Sequence, residues 1–148
     1  MMKNVALGIL IGLIVGGVLI QFISYGHDHT NPAVAVVEPQ WDSQQTRDLA
    51  VRACFDCHSN QTMWPWYSNI APVSWLIQRD VQQGRAALNF SQWGSSRRGA
   101  GDSGEQIQRG TMPQWYYVML HPTASLSEVE RQALLQGLNV LGRGGSQG

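Results

Sequence analysis

Two cysteines are all that this chain of 148 residues contains, and that scarcity excludes a good deal. A disulfide framework has nothing to build with, and a zinc site made of four thiolates lacks half its ligands. Lysine is scarcer still: Lys3 is the only one, and every other basic residue is arginine. Ten basic side chains balance ten acidic ones, so there is no electrostatic footprint for nucleic acid and no single-sign docking face. Strand-like alternation and internal repeats are missing as well. What remains is one small all-α domain behind an N-terminal apolar segment.

The two cysteines stand together, in Cys54-Phe55-Asp56-Cys57-His58. This C-x-x-C-H spacing is the attachment signature of a c-type haem. Two thiols add across the haem vinyl groups as thioethers, and the adjacent histidine offers an imidazole nitrogen to the iron. On a helix, positions 54, 57 and 58 are i, i+3 and i+4, so all three side chains leave one face. Competing uses are poorly supplied. A thioredoxin-like dithiol wants a βαβ pattern around it, and His27, His29 and His121 are too scattered in sequence to complete a zinc site. The cofactor expected is one haem c, held covalently through Cys54 and Cys57 with His58 on the iron.

The N-terminus agrees with that expectation. After Lys3 an apolar run extends from Val5 to Ile20 and on to Phe22-Ile23, near the ~20 residues that cross a bilayer. It exceeds the roughly 7–15 residues of a cleaved signal's apolar core. Ala33-Val34-Ala35 resembles a cleavage site but lies well past the run. Residues 1–23 therefore read as an uncleaved transmembrane signal-anchor. With Lys3 held inside, the remainder faces the periplasm from the inner membrane, the side on which bacteria attach haem covalently. Gly8, Gly12 and Gly16 form a doubled G-x-x-x-G through which two anchors could pack as a homodimer.

Residues 24–40 read as a linker, punctuated by Gly26, Asn31-Pro32 and Pro39, in which His27 and His29 are solvated. The domain proper is 41–142. Asp42 or Ser43 caps a helix that runs into the haem motif, with Leu49, Ala50, Ala53, Cys54 and Cys57 on one arc. An aromatic loop follows, and Pro72 opens a helix with an apolar stripe of Val73, Leu76, Ile77, Val81, Gly84 and Leu88. Ser91 to Gly104 reads as a Gly/Ser/Arg loop before a short turn at Glu105–Arg109. Ser127 and Glu130 form a capping box for a last helix carrying Leu134, Leu138 and Leu141. Residues 143–148 are a flexible tail.

The sixth iron position falls to Met112, in Gly110-Thr111-Met112-Pro113. A thioether opposite imidazole favours reduced iron, Pro113 stiffens the loop, and Gly110 lets it turn. Met63, Met119 and His121 compete. Trp64, Trp66 and Tyr67 can wall the haem and hydrogen-bond its propionates, and Arg79 or Arg85 can pair with a propionate. A carbonyl set by Pro65 or Pro72 can take the proximal imidazole N–H.

The longer string resembles the bacterial haem-binding domain family of small c-type cytochrome-like proteins. The matching stretches are Cys54 to Asn60, Trp64-Pro65-Trp66-Tyr67-Ser68, Ile70 to Trp75, Gly84-Arg85, Leu88-Asn89-Phe90-Ser91, Met112-Pro113, His121-Pro122 and Leu126-Ser127-Glu128. The resemblance implies one c-type haem in a cytochrome c-like helical fold. Function is then expected to be single-electron transfer between redox partner proteins, without substrate chemistry. The alternatives are a haem-based redox or gas sensor, and a peroxidase-like protein with a labile distal ligand.

Overall fold

Residues 2–33 and 35–144 are described by a computed structural model, with the side chains of 95–101, 143 and 144 left aside. Among them the secondary structure is helical, and the one β-feature is an isolated bridge between Val37 and Gln92. The helices are α1 (Met2–Leu19), α2 (Gln44–Ala53), α3 (Phe55–His58), α4 (Val73–Ala87), α5 (Trp93–Gln108), α6 (Trp115–Leu120) and α7 (Glu128–Gly144). The chain divides into two compact units. One comprises residues up to Thr30 with Trp64–Asp80; the other comprises Asn31–Met63 with Val81 onward.

In the first unit, α1 continues through a 3-10 turn, Ile20–Phe22, to make an apolar rod of 21 residues with no buried part. At 1.5 Å per residue its length is about 30 Å, the thickness of a hydrocarbon core. None of the described residues packs on Gly8, Gly12 or Gly16. The start of the expected linker is held in place: the Gly26 N–H bonds Gln78 Oε1 at 2.6 Å, and His29 stacks on Trp64 with ring centroids 4.6 Å apart. Gly26 has φ +95°, and any side chain there would strike Ser74 and Trp75. Val34, within the candidate cleavage site, lies outside the described residues.

The second unit is built on α2, α5 and α7. Ser43, not Asp42, caps α2 by accepting the Thr46 N–H at 3.1 Å. Leu49 and Ala50 of α2 meet Leu134, Leu135, Leu138 and Leu141 of α7, together with Phe55, Leu88, Phe90, Trp93 and Ile107. Phe90 stacks on Phe55 at 5.4 Å and on Trp93 at 6.1 Å. At α7 the capping box forms: Ser127 Oγ accepts the Glu130 N–H, and Glu130 Oε2 accepts the Ser127 N–H at 2.8 Å.

Two expectations fail here for physical reasons. The loop expected at Ser91–Gly104 is most of α5. Its four glycines cost about 1 kcal/mol each against alanine, but Trp93 and Ile107 are buried toward its two ends, and Gly104 is buried beside Leu135 and Asn139. Packing on α7 outweighs propensity. In α4 the buried residues are Ser74, Gln78, Val81 and Gly84, with Leu88 buried just past its end; of the expected stripe Val81, Gly84 and Leu88 are inside, whereas Val73 and Leu76 are exposed. The expected tail begins later than 143, because Arg143 and Gly144 close α7; residues 145–148 lie outside the described residues.

Glu130 also accepts from Arg52 at 2.7 Å. The Ser127 N–H, then Arg52, draw its carboxyl down from 4.5 to about 2. A folded value below the unfolded one means stability that is complete above the unfolded value and lost as pH falls through the folded one. The melting temperature of the wild-type protein should therefore fall between pH 4.5 and about 2. Glu130→Gln should show a shallower acid limb in thermal scans, starting from a lower stability at neutral pH.

Candidate functional site

Cys54 sits where α2 ends. Its N–H still bonds the Ala50 carbonyl at 2.9 Å, but its backbone leaves the helical region, with φ −130° and ψ −34°. The chain then makes the single turn of α3. Cys57 and His58 return their N–H groups to the Cys54 carbonyl at 3.2 and 2.8 Å. The helix expected to run through the motif is thus broken at Cys54, while the one-turn relation of 54, 57 and 58 survives. Both cysteines are half-buried, and neither is in a disulfide. Burial, with Cys57 beside it, pushes the Cys54 thiol up to about 12.

His58 Nδ1 lies 3.1 Å from the Leu88 carbonyl oxygen. A carbonyl only accepts, so Nδ1 carries the proton and Nε2 keeps its lone pair. Burial lowers the imidazole pKa, opposed by the carbonyls of Leu88 and Gly84. The ring is therefore neutral, oriented, and ready to ligate through Nε2. The carbonyl comes from the end of α4, where the sequence pointed to a carbonyl set by Pro65 or Pro72. That α4 comes so near is the work of Gly84: a Cβ there would fall inside contact distance of the Cys57 carbonyl.

The residues following the motif form a polar brace. Ser59 Oγ donates to the Phe55 carbonyl at 2.7 Å and accepts the Gln61 N–H at 2.9 Å. Asn60 takes Asn89 Nδ2 at its side-chain oxygen at 2.8 Å, and its N–H reaches Ser91 Oγ at 3.0 Å. Phe90 N–H bonds the His58 carbonyl at 2.8 Å. Arg85 spans this loop, donating to the Ser59 carbonyl, Thr62 Oγ1 and Asn31 Oδ1 at 2.7–2.9 Å. Its guanidinium is thereby a clamp on residues 59–62, while Arg79 lies 3.7 Å from Asp80.

Asp56, one of the two variable residues of the motif, accepts the Met63 N–H at 2.9 Å and the Tyr117 hydroxyl at 2.7 Å. Burial and this carboxylate raise the Tyr117 pKa and keep the phenol protonated. Tyr117 thus ties α6 directly to the motif. It stacks on His121 at 4.3 Å, and His121 Nδ1 bonds the Tyr117 carbonyl at 3.1 Å. No local signal in the sequence marks Tyr117 for a partner 61 residues away.

Met112 is half-buried against the same aromatic and leucine core as Cys54. Its loop leaves α5 through Gly110 at φ +70°, and the N–H groups of Thr111 and Met112 both bond the Gln106 carbonyl. Its methionine rivals are solvent-facing, Met63 78 % exposed and Met119 64 % exposed, while His121 is half-buried against Tyr117. Trp64, Trp66 and Tyr67 belong to the first unit. Trp64 buries an indole N–H that has no protein partner, and Tyr67 is half-buried edge-on to an exposed Trp66. The second unit thus brings together Cys54, Cys57, His58 and Arg85, with Met112 on the shared core.

This donor set fits an iron porphyrin. Two thiols share one turn with an imidazole whose Nδ1 is engaged and whose Nε2 is available, and a half-buried thioether lies on the core they share. Gly84→Ala tests the geometry. Small-to-large substitution at a tight contact costs about 1–3 kcal/mol, so the variant should unfold at lower denaturant and carry less covalent haem per chain. Haem stain and denaturation midpoint read the two effects.

Neither a curated protein nor a solved structure matches the chain significantly. A family model does, and it covers residues 15–140, the motif, its brace and the Met112 loop together. By that match the chain belongs to the haem-binding domain family.

Proposed function

We propose that this chain is a membrane-anchored monohaem c-type cytochrome that passes single electrons between redox partner proteins on the periplasmic face of the inner membrane. The observation that carries this reading is His58, whose Nδ1–H is held by Leu88 within one turn of two cysteines. A bound haem supplies one-electron cycling of its iron. The chain supplies two thiols for covalent capture, an imidazole locked in the ligating tautomer, and a shielded setting.

Met112 would complete the set as a second protein ligand to the iron. Its partial burial and the tether of its loop to α5 limit the freedom lost on ligation. Thioether opposite imidazole raises the reduction potential and fills the position that an external ligand would need. Arg85, in the same unit as the motif, is the proposed contact to the rest of the macrocycle. The apolar rod from Met2 to Phe22, with Lys3 on the cytoplasmic side, anchors the domain and sets its orientation.

Covalent capture predicts that haem stays on the denatured chain and migrates with it. Cys54→Ala or Cys57→Ala should weaken that retention, and complete extraction of wild-type haem by acidified organic solvent would overturn the c-type assignment. Ligation by Met112 predicts a long-wavelength methionine–iron charge-transfer band in the ferric protein. Met112→Ala should lose the band, lower the potential and bind carbon monoxide. Ready binding of carbon monoxide by the wild-type protein would favour a sensor or peroxidase-like role over electron transfer.

A further inference from the structure

The first half of α4 and the turn before it are inside out for a protein in water. Ser74 and Gln78 are buried, and Gln78 receives the Gly26 N–H. Ile70, Val73 and Leu76 are exposed, and Trp66 is 76 % exposed. From Trp64 to Gln78 there is no Asp, Glu, Lys, Arg or His. A helix that met only water would turn its apolar side inward and its polar side out.

The same unit fixes where this face lies. Gln21, in the last turn of the apolar rod, donates to the Ala71 carbonyl at 3.0 Å and accepts the Ala71 N–H at 2.9 Å. This two-point clasp sets Ala71 level with the end of the span. Consecutive Cα atoms are about 3.8 Å apart, so Ile70, Pro72 and Val73 stay within about 8 Å of that level. The headgroup layer outside the hydrocarbon core is itself roughly 5–8 Å deep on each side. Phe22 and Tyr25 are exposed at the same end of the rod, and aromatic residues favour this depth.

We propose that Trp66, Ile70, Val73 and Leu76 form a second membrane contact, seated at the headgroup–acyl boundary where α1 leaves the bilayer. It rests on the anchor reading and extends it: the span inserts, and the 64–78 segment lies on the lipid surface beside it. An interfacial segment of this kind gains by burying an apolar face among acyl chains while its backbone groups stay satisfied. Here Gln21 satisfies both backbone groups of Ala71, and Gln78 accepts the Gly26 N–H. Trp66 is thereby assigned to lipid and leaves the expected set of haem contacts.

The full haem-loaded chain in phosphatidylcholine nanodiscs tests this. The photo-crosslinker p-benzoylphenylalanine would replace Leu10, Trp66 or Ile70 one at a time, with the haem spectrum confirming that each variant is folded. Lipid adducts at 10 and at either 66 or 70, in comparable yield, are expected. Adducts at 10 with none at 66 or 70 would overturn the surface contact and leave the anchor standing. Absence of lipid adducts at 10 would overturn the anchor and, with it, this proposal.

Discussion

The hydrogen bond from His58 Nδ1 to the Leu88 carbonyl is the constraint around which the second unit is arranged. It decides which imidazole nitrogen keeps its lone pair, and so which one is open to a metal. A carbonyl can reach that nitrogen only if the end of α4 lies almost against the motif. Gly84 permits the approach by having no Cβ where the Cys57 carbonyl stands. The carbonyl then stays in place because Arg85, Asn89 and Ser91 tie the end of α4 and the residues after it to Ser59, Asn60 and Thr62. Ring orientation is thus a property of two chain segments held in register, and the motif alone does not specify it.

Much of that arrangement was legible in the sequence, but unevenly. The C-x-x-C-H spacing, the capping box at Ser127 and Glu130, and the leucine face of α7 are local patterns with local causes. Each is found where the sequence places it. Gly84 and Arg85, and Asn89 and Ser91, could be picked out as part of a family pattern, yet their roles were not readable. A glycine in an apolar stripe looks the same whether it fills space or admits a neighbouring carbonyl. The acceptor for His58 was sought near the prolines because proline fixes backbone locally, whereas the carbonyl used lies 30 residues on, at a helix end. Tyr117 was missed for the same reason: its carboxylate partner is distant in sequence.

The failures in α5 and α4 have opposite causes. In α5, composition argued for a loop, and burial against α7 imposed a helix that glycine disfavours by itself. In α4, periodicity argued correctly for a helix and for the buried Val81, Gly84 and Leu88, but wrongly for its first turn, where Val73 and Leu76 are exposed. The stripe rule presumes water on the far side. Where the outer side meets lipid instead, Val73 and Leu76 belong outside, and Gln78 can hydrogen-bond within. A reversed face is therefore informative about the solvent, whereas a misread loop is informative only about packing.

Polar groups carry an unusual share of the ordering in this small chain. Ser59, Asn60, Thr62, Asn89 and Ser91 are buried around the haem motif, where apolar side chains would add more hydrophobic free energy. Each hydrogen bond adds only about 0.5–1.5 kcal/mol net, while a buried group left unpaired costs about 1–3 kcal/mol. Such a network stabilises one register modestly and penalises every other one more heavily. That asymmetry suits a site whose donors must stand ready at fixed points. Thiols and imidazole on one turn can meet a rigid macrocycle together only if the turn, the carbonyl behind it and the loop after it cannot slide independently. The brace of serine, asparagine and arginine side chains supplies that restriction, and the aromatic stack of Phe55, Phe90 and Trp93 beneath it supplies the apolar burial.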